Sequence, residues 1–395
     1  MNNHNRKSAQ WQRMSSVRRV VIKVGTSVVT GGRSEFCLAQ MESLVSSIAR
    51  LKKEGRQLVL VSSGAVGLGA GRLELDRARL RGIAMRQACA AIGQNLLMHA
   101  YEQLFSAHDV KIAQVLLTED DFTDWQRYLN VQRTMEKLLK LGVLPIVNEN
   151  DTVSTAELDY INFDSSERVF SDNDRLAALV MSKLEAQGLI ILTNVDGLLN
   201  ESPGDSRRHA AGARSVEILP LVTEITAELK QLASGHSASG RGGMSTKLEA
   251  AEIAMRTGGR AVIANGLMPG VLDRIFADEE VGTLFVPSAR LGGKRRWIVY
   301  AAGVRGRLVV NAGARDAIIE RKASLLASGV VRVENSFESL DVVSIIDQEG
   351  REFARGMANC ASHEAQALVG SRVTAGQKAR AQVLVTRNNI VLLNR

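Results

Sequence analysis

Cysteine is scarce in this chain. The three residues, Cys37, Cys89 and Cys360, are odd in number and far apart among 395 positions. They make no metal-ligand spacing and no disulfide framework, which fits a reducing cytoplasm. No apolar run approaches the roughly 18 residues of a membrane span, so a membrane partner is not expected. Residues 1–18 lack an apolar h-region, which argues against a secretory signal. Polar, Arg-rich and free of acids, they read as a disordered extension. Both standard nucleotide signatures are missing. There is no G-x-G-x-x-G, and the one Gly-Lys pair, Gly293-Lys294, has Ser288 where a P-loop needs glycine. Nothing resembles a hydrolytic triad or a zinc site, and the six histidines are scattered.

What remains is an ordinary globular composition, 45% hydrophobic and 23% charged. The length predicts two or three units. The net charge of +8 is unevenly placed. Residues 1–18 carry four basic residues and no acid, and residues 288–395 carry 17 basic and 9 acidic residues, while the stretch between is net acidic. A basic C-terminal unit could meet nucleic acid, or could only keep the surface soluble.

The chain opens on a buried strand. Val20, Val21, Ile22 and Val24 are apolar and β-branched, with Lys23 among them. A lysine in such a strand needs a partner, because desolvating an ammonium costs several kcal/mol. Gly25, Thr26, Ser27, Thr30, Gly31 and Gly32 follow as a small-residue turn of the kind that handles phosphate. The alternative is a lysine that snorkels to an edge beside glycines that only turn the chain.

Downstream, strands and helices alternate. Leu38, Met41, Leu44, Val45 and Ile48 share one helical face, ended by Gly55. Residues 58–61 form a strand running into Ser62-Ser63-Gly64-Ala65-Val66-Gly67-Leu68-Gly69, a second glycine-rich strand end. Residues 83–106 read as a helix and 112–117 as a strand. A helix around Met135 closes at Gly142, and strand 143–147 ends in Asn148-Glu149-Asn150-Asp151. Ser171-Asp172-Asn173-Asp174 can cap a helix over 176–186. Strand 189–192 ends in Thr193-Asn194. The run Gly240-Arg241-Gly242-Gly243-Met244-Ser245 leads into a helix over 246–256, where Thr246 and Glu249 have capping-box spacing. Residues 261–264 form another strand. This order predicts an open, mostly parallel sheet with helices on both faces, and ligands in such sheets sit beyond the strands' carboxyl ends. The polar clusters all lie there. Past residue 281 the texture becomes β-rich, with strands expected over 297–300, 308–310, 330–333, 342–346, 382–385 and 390–393.

The chemistry at those strand ends suits phosphoryl transfer, which needs positioning and charge neutralisation more than covalent chemistry. The glycines of 240–243 let backbone N–H groups approach an anion at a helix N-terminus, and Lys247 reaches the same anion. The alternative is a flexible loop with a capped helix. Asn148, Asn150, Asp151, Asn173 and Asp174 could bind an amino group, orient lysines or hold Mg²⁺; for Asp172 and Asp174 the alternative is helix capping. A carboxylate acceptor, with a pKa of about 4.3, needs no general base at neutral pH.

The segments VVIKVGTSVVTGG, VSSGAVGLGAGR, QACAAIGQNLL, LPIVNENDTVSTAEL, SDNDRLAALV, ILTNVDGLL and GRGGMSTKLEAAEIAMRTG resemble the glutamate 5-kinases of the amino acid kinase superfamily. VGTLFVPS, KRRWI and the β-rich tail are similar to the PUA domain that ends those enzymes. The resemblance implies a three-layer αβα sandwich with a mostly parallel central sheet over 19–285, a linker at 286–294 and a PUA-like domain over 295–395. It also implies ATP-dependent phosphorylation of the γ-carboxylate of L-glutamate, the first step of proline biosynthesis. Members are cytoplasmic, use Mg²⁺, form homo-oligomers (dimers or tetramers) and are often inhibited by proline. They hand their product to glutamate-5-semialdehyde dehydrogenase. Carried over by motif, Lys23 and Lys247 would stabilise the phosphoryl group in flight and Asp174 would orient them. Ser63, Asp151 and Asn173 would bind glutamate. Lys23, Thr193, Asn194, Arg241, Gly242, Gly243, Met244, Ser245, Thr246 and Lys247 would bind ATP; no side chain is assigned to metal.

Three features depart from the pattern. Asn194 replaces an aspartate, Arg241 replaces a threonine, and the segment between Asp151 and Asp172 is longer, adding Tyr160, Phe163 and Phe170. A second reading, an RNA-binding PUA protein with a vestigial kinase part, is weighed against by intact Lys23, Asp174 and Lys247.

Overall fold

A computed structural model describes residues 14–33, 35–75, 80, 82–118, 120–153, 173–200, 217–233, 243–287, 293–301, 303–370 and 383–393. Residues 1–13, Arg241, Gly242, Asp172 and the segment with Tyr160, Phe163 and Phe170 lie outside them. The chain divides into two units, Met1–Leu291 and Gly292–Arg395.

The first unit is built on an eight-stranded sheet. Its strands are β1 (Arg19–Val24), β2 (Gln57–Ser62), β3 (Ile112–Leu117), β4 (Leu144–Glu149), β5 (Gly188–Thr193), β6 (Leu221–Val222), β7 (Arg260–Asn265) and β8 (Thr283–Phe285). Their spatial order is β3-β4-β2-β1-β5-β7-β8-β6. The first six in that order run parallel, and β7 meets β8 antiparallel. β1, β2, β4 and β5 are buried almost end to end. Being covered on both faces, they read as continuous apolar runs rather than alternating ones. β1 sits at the switch point of the sheet. The chain first builds towards β3 on one side, then resumes at β5 on the other. Register aligns Val24 with Ser62 and with Leu192, so the carboxyl ends of β1, β2 and β5 form one edge.

Helices flank this sheet as the α/β alternation predicts, with local corrections. The turn expected after Gly25 is a short helix, Thr26–Thr30, capped by Gly25, whose N–H also donates to Leu192 O at 3.0 Å. Leu38, placed on a buried face by periodicity, is exposed at the first position of helix Leu38–Lys53. A helix there has not yet reached the sheet. The glycines after Ser63 do not form a loop: Ala65–Arg72 is a helix lying against helix Ile83–Ser106. A Cβ on Gly69 would fall 1.8 Å from Cys89 O, and one on Gly93 would fall 1.7 Å from Ala65 O. The glycines allow backbone to touch backbone, a long-range demand that a local reading takes for a loop.

In the second unit a five-stranded sheet is formed by β9 (Val304–Val310), β11 (Val330–Glu334), β12 (Val342–Ile346), β13 (Glu352–Met357) and β15 (Ile390–Leu392), ordered β11-β9-β12-β13-β15. The short strands β10 (Leu325–Leu326) and β14 (Val383–Val385) pair separately. Leu308, Val310, Phe337, Val343, Ile345 and Phe353 lead its core. Residues 297–300, expected as a strand, belong to a π-helical turn, Trp297–Ala301, that continues helix Gly293–Arg296. A short apolar run does not by itself choose between strand and helix.

Candidate active site

Lys23 is the penultimate residue of β1 and is buried. Its partner is Asp174, in the first turn of helix Asn173–Lys183, which packs on β1. Lys23 Nζ lies 2.6 Å from Asp174 Oδ1, and Lys247 Nζ lies 3.0 Å from Asp174 Oδ2. Asp174 is fully buried and is the second residue of its helix, so it does not hold the cap position that the sequence offered it. Burial pushes its carboxyl up, but the Lys23 and Lys247 ammoniums push further the other way and hold it well below the usual carboxylate range. The carboxylate is therefore charged at neutral pH, and one negative charge faces two positive ones.

Lys247 comes from helix Met244–Arg256, which begins three residues earlier than the capping-box spacing implies. Gly243 holds the N-cap position and has no side chain with which to cap the first N–H groups. Thr246 is the third helical residue instead of the cap. Its hydroxyl lies 3.1 Å from Asp174 Oδ2 and 3.0 Å from Gly243 O. Glu249, the other half of the expected box, pairs with Arg175. That pair ties together the two helices that carry Asp174 and Lys247.

Beside the ion triad lies an amide cluster. Asn173, adjacent to Asp174, donates from Nδ2 to Ser63 Oγ at 2.8 Å and to Asn148 Oδ1 at 3.1 Å. Asn148 in turn donates to Gln94 Oε1 at 2.9 Å. Ser63 follows β2, and its N–H donates to Val24 O at 3.1 Å, fixing it beside the end of β1. Ser62 is held from below by the buried Tyr101 hydroxyl at 2.8 Å.

Of the residues singled out by sequence, Lys23, Asp174, Thr246, Lys247 and Gly243 meet in one cluster and Ser63 and Asn173 in its neighbour. Asp151 is half-buried, two residues beyond the end of β4. Thr193 ends β5, with its hydroxyl 3.4 Å from Asn194 Oδ1. Met244 and Ser245 open the Lys247 helix. Arg241 and Gly242 lie outside the described residues. Gln94 and Arg175 were not legible in the sequence. A lone glutamine after glycine on a helix, or an arginine after Asp174, carries no signal until its partner, 54 or 74 positions away, is known.

The residues described do not form a protein-built Mg²⁺ centre. Both oxygens of Asp174 are taken by Lys23, Lys247 and Thr246, and no three His, Cys, Asp or Glu side chains among the described residues gather in metal-binding geometry.

Comparison with known proteins identifies the family. Residues 18–265 match the amino acid kinase family and residues 306–375 match the PUA domain. Glutamate 5-kinase of Caldanaerobacter subterraneus subsp. tengcongensis is 41% identical over 384 residues, covering 95% of this chain and 98% of that one. The Moorella thermoacetica glutamate 5-kinase is 45% identical over 348 residues, 88% of this chain and 87% of that one. That of Myxococcus xanthus is 44% identical over 361 residues, 91% of each chain. This chain belongs to the amino acid kinase family, on its glutamate 5-kinase branch, and carries a PUA domain.

Proposed function

We propose that the protein transfers the γ-phosphoryl group of ATP to the γ-carboxylate of L-glutamate, giving L-glutamyl 5-phosphate for proline biosynthesis. The observation that carries the mechanism is the ion triad. One carboxylate against two ammoniums leaves a surplus positive charge in a buried place, where it attracts the charge that spreads over a phosphoryl group in transfer. A γ-carboxylate oxygen of glutamate forms the new bond to phosphorus as the bond to the ADP oxygen breaks. No proton moves, because the acceptor is already ionised.

Lys23 and Lys247 approach the transferring group from β1 and from a helix N-terminus, and Asp174 fixes both. The open N-terminus at Gly243–Ser245 suits a nucleotide phosphate. Thr193 and Asn194, with Arg241 and Gly242, complete the proposed ATP site. Ser63, Asp151 and Asn173 bind glutamate. Mg²⁺ would be held mainly by the nucleotide phosphates, as is usual for it.

Relatives named glutamate 5-kinase along nearly the whole chain support this reading. The intact triad disfavours an RNA-binding protein with a vestigial kinase part. We place the enzyme in the cytoplasm as a homo-oligomer, dimer or tetramer, and its product with glutamate-5-semialdehyde dehydrogenase. Three free cysteines fit that compartment. Among the described residues no helix is long and apolar enough to cross a membrane.

Hydroxylamine traps acyl phosphates. With ATP, Mg²⁺ and L-glutamate the chain should yield the γ-hydroxamate, and Lys23→Ala should lose about a hundredfold or more of that rate. No hydroxamate from folded protein, or undiminished turnover in the variant, would overturn the assignment.

A further inference from the structure

Gln94 follows Gly93 in helix Ile83–Ser106, and its side chain is more than nine-tenths buried. It begins a run of three amides: Gln94 Oε1 accepts from Asn148, and Asn148 Oδ1 accepts from Asn173. Both ends of the run are open: among the described residues, Gln94 Nε2 and Asn173 Oδ1 are buried without a hydrogen-bond partner. An unpartnered buried amide atom is costly, and a ligand of complementary chemistry removes that cost. The open atom of Asn173, whose amide also holds Ser63, is an acceptor. It suits an ammonium and repels a carboxylate.

An amide has one accepting and one donating end, so the setting of one fixes the next. Without an acceptor at position 94, Asn148, itself buried, would leave its NH₂ group unpaired. Turning the Asn148 amide over brings that NH₂ group to Asn173, which must then turn its own oxygen inward to accept. Asn173 would thereafter offer NH₂ to the ligand, the wrong end for an ammonium.

We infer, on the glutamate reading above, that Gln94 is a positioning residue for substrate selection. Its Oε1 locks Asn148 and, through Asn148, keeps Asn173 Oδ1 available to the α-ammonium group of the substrate. It acts through these amides and not on the reacting atoms.

The full chain tests this with two near-isosteric changes. Gln94→Met removes the acceptor and Gln94→Glu keeps one. The readouts are KM for L-glutamate and the inhibition constant of glutarate, the same dicarboxylate without the ammonium, at saturating ATP. Gln94→Met should raise the glutamate KM about tenfold or more while glutarate inhibition stays within about twofold and kcat within about threefold. Gln94→Glu should keep the glutamate KM within about threefold of the parent. Equal weakening of glutamate and glutarate, an unmoved KM in Gln94→Met, or a Gln94→Glu variant as impaired as Gln94→Met would each overturn the proposal. Gln94→Leu, also without an acceptor, replaces the Met variant if that one does not fold. Calorimetric binding of the two dicarboxylates gives the same ratio without turnover. Failure of the kinase reading, seen as no hydroxamate from the unsubstituted chain, is thus distinguishable from failure of the amide run.

Discussion

Asp174 concentrates the electrostatics of the site in one side chain. Its folded pKa lies below the ordinary carboxylate value of about 3.9. A depressed carboxylate contributes stability that is fully present above its unfolded pKa and is lost as pH falls through the folded value. The triad should therefore hold unchanged from about pH 5 to 8 and weaken only in stronger acid. Asp174→Asn keeps the size and removes the charge, leaving two buried ammoniums without a counter-charge. Denaturant unfolding at pH 7 should show a loss of about 3–5 kcal/mol, the usual cost of breaking a buried pair. The gap to the parent should narrow below about pH 4, where Asp174 of the unfolded chain begins to take up a proton while the folded carboxylate stays ionised. A variant as stable as the parent at pH 7 would mean that the triad does not hold the fold. Lys23 was legible in the sequence because a lysine among β-branched residues demands an explanation. Its partner Asp174 was named through the family resemblance and not from the residues alone, since it stands in a run that reads equally well as a helix cap.

At the scale of elements, the sheet was legible and the helix contacts were not. Parallel strands buried on both faces announce themselves as apolar runs, and β1, β2, β4, β5 and β7 fall where such runs lie. The helix Ala65–Arg72 was hidden because its glycines mimic a loop. Their purpose appears only when helix Ile83–Ser106 is set against it at backbone contact. Gly93→Ala puts a methyl group where Ala65 O already sits, and backbone cannot step aside as a side chain can. Unfolding measurements should record a loss of about 1–3 kcal/mol or more. An unchanged midpoint would show that the two helices do not approach this closely. The same shift would be felt at the site, because Ser63 and Gln94 sit at the near ends of this contact. The strand β13 escaped notice for a different reason. Its sequence EFARGM mixes charge and glycine with apolar residues, and its burial comes from pairing between β12 and β15.

At the scale of the whole molecule, charge is divided more sharply than composition. The stretch 288–395, with 17 basic against 9 acidic residues, carries an excess equal to the whole chain's +8. Such a surface attracts polyanions without selecting among them. Any RNA bound by the full chain at about 50 mM salt should be lost by about 200 mM, as counterion-driven binding is. Kinase activity should not respond to the RNA. Binding that survives the higher salt would point to a specific site on the PUA domain. Finally, the triad draws on residues 23, 174 and 247, so its making has an order in time. As the chain leaves the ribosome, Lys23 and Asp174 come into existence first, and together they are a neutral pair. The excess charge arrives only with Lys247. A nascent chain halted before that residue would hold a balanced ion pair and no grip on phosphate, so competence for transfer is a late event of synthesis, conferred by the arrival of a single lysine.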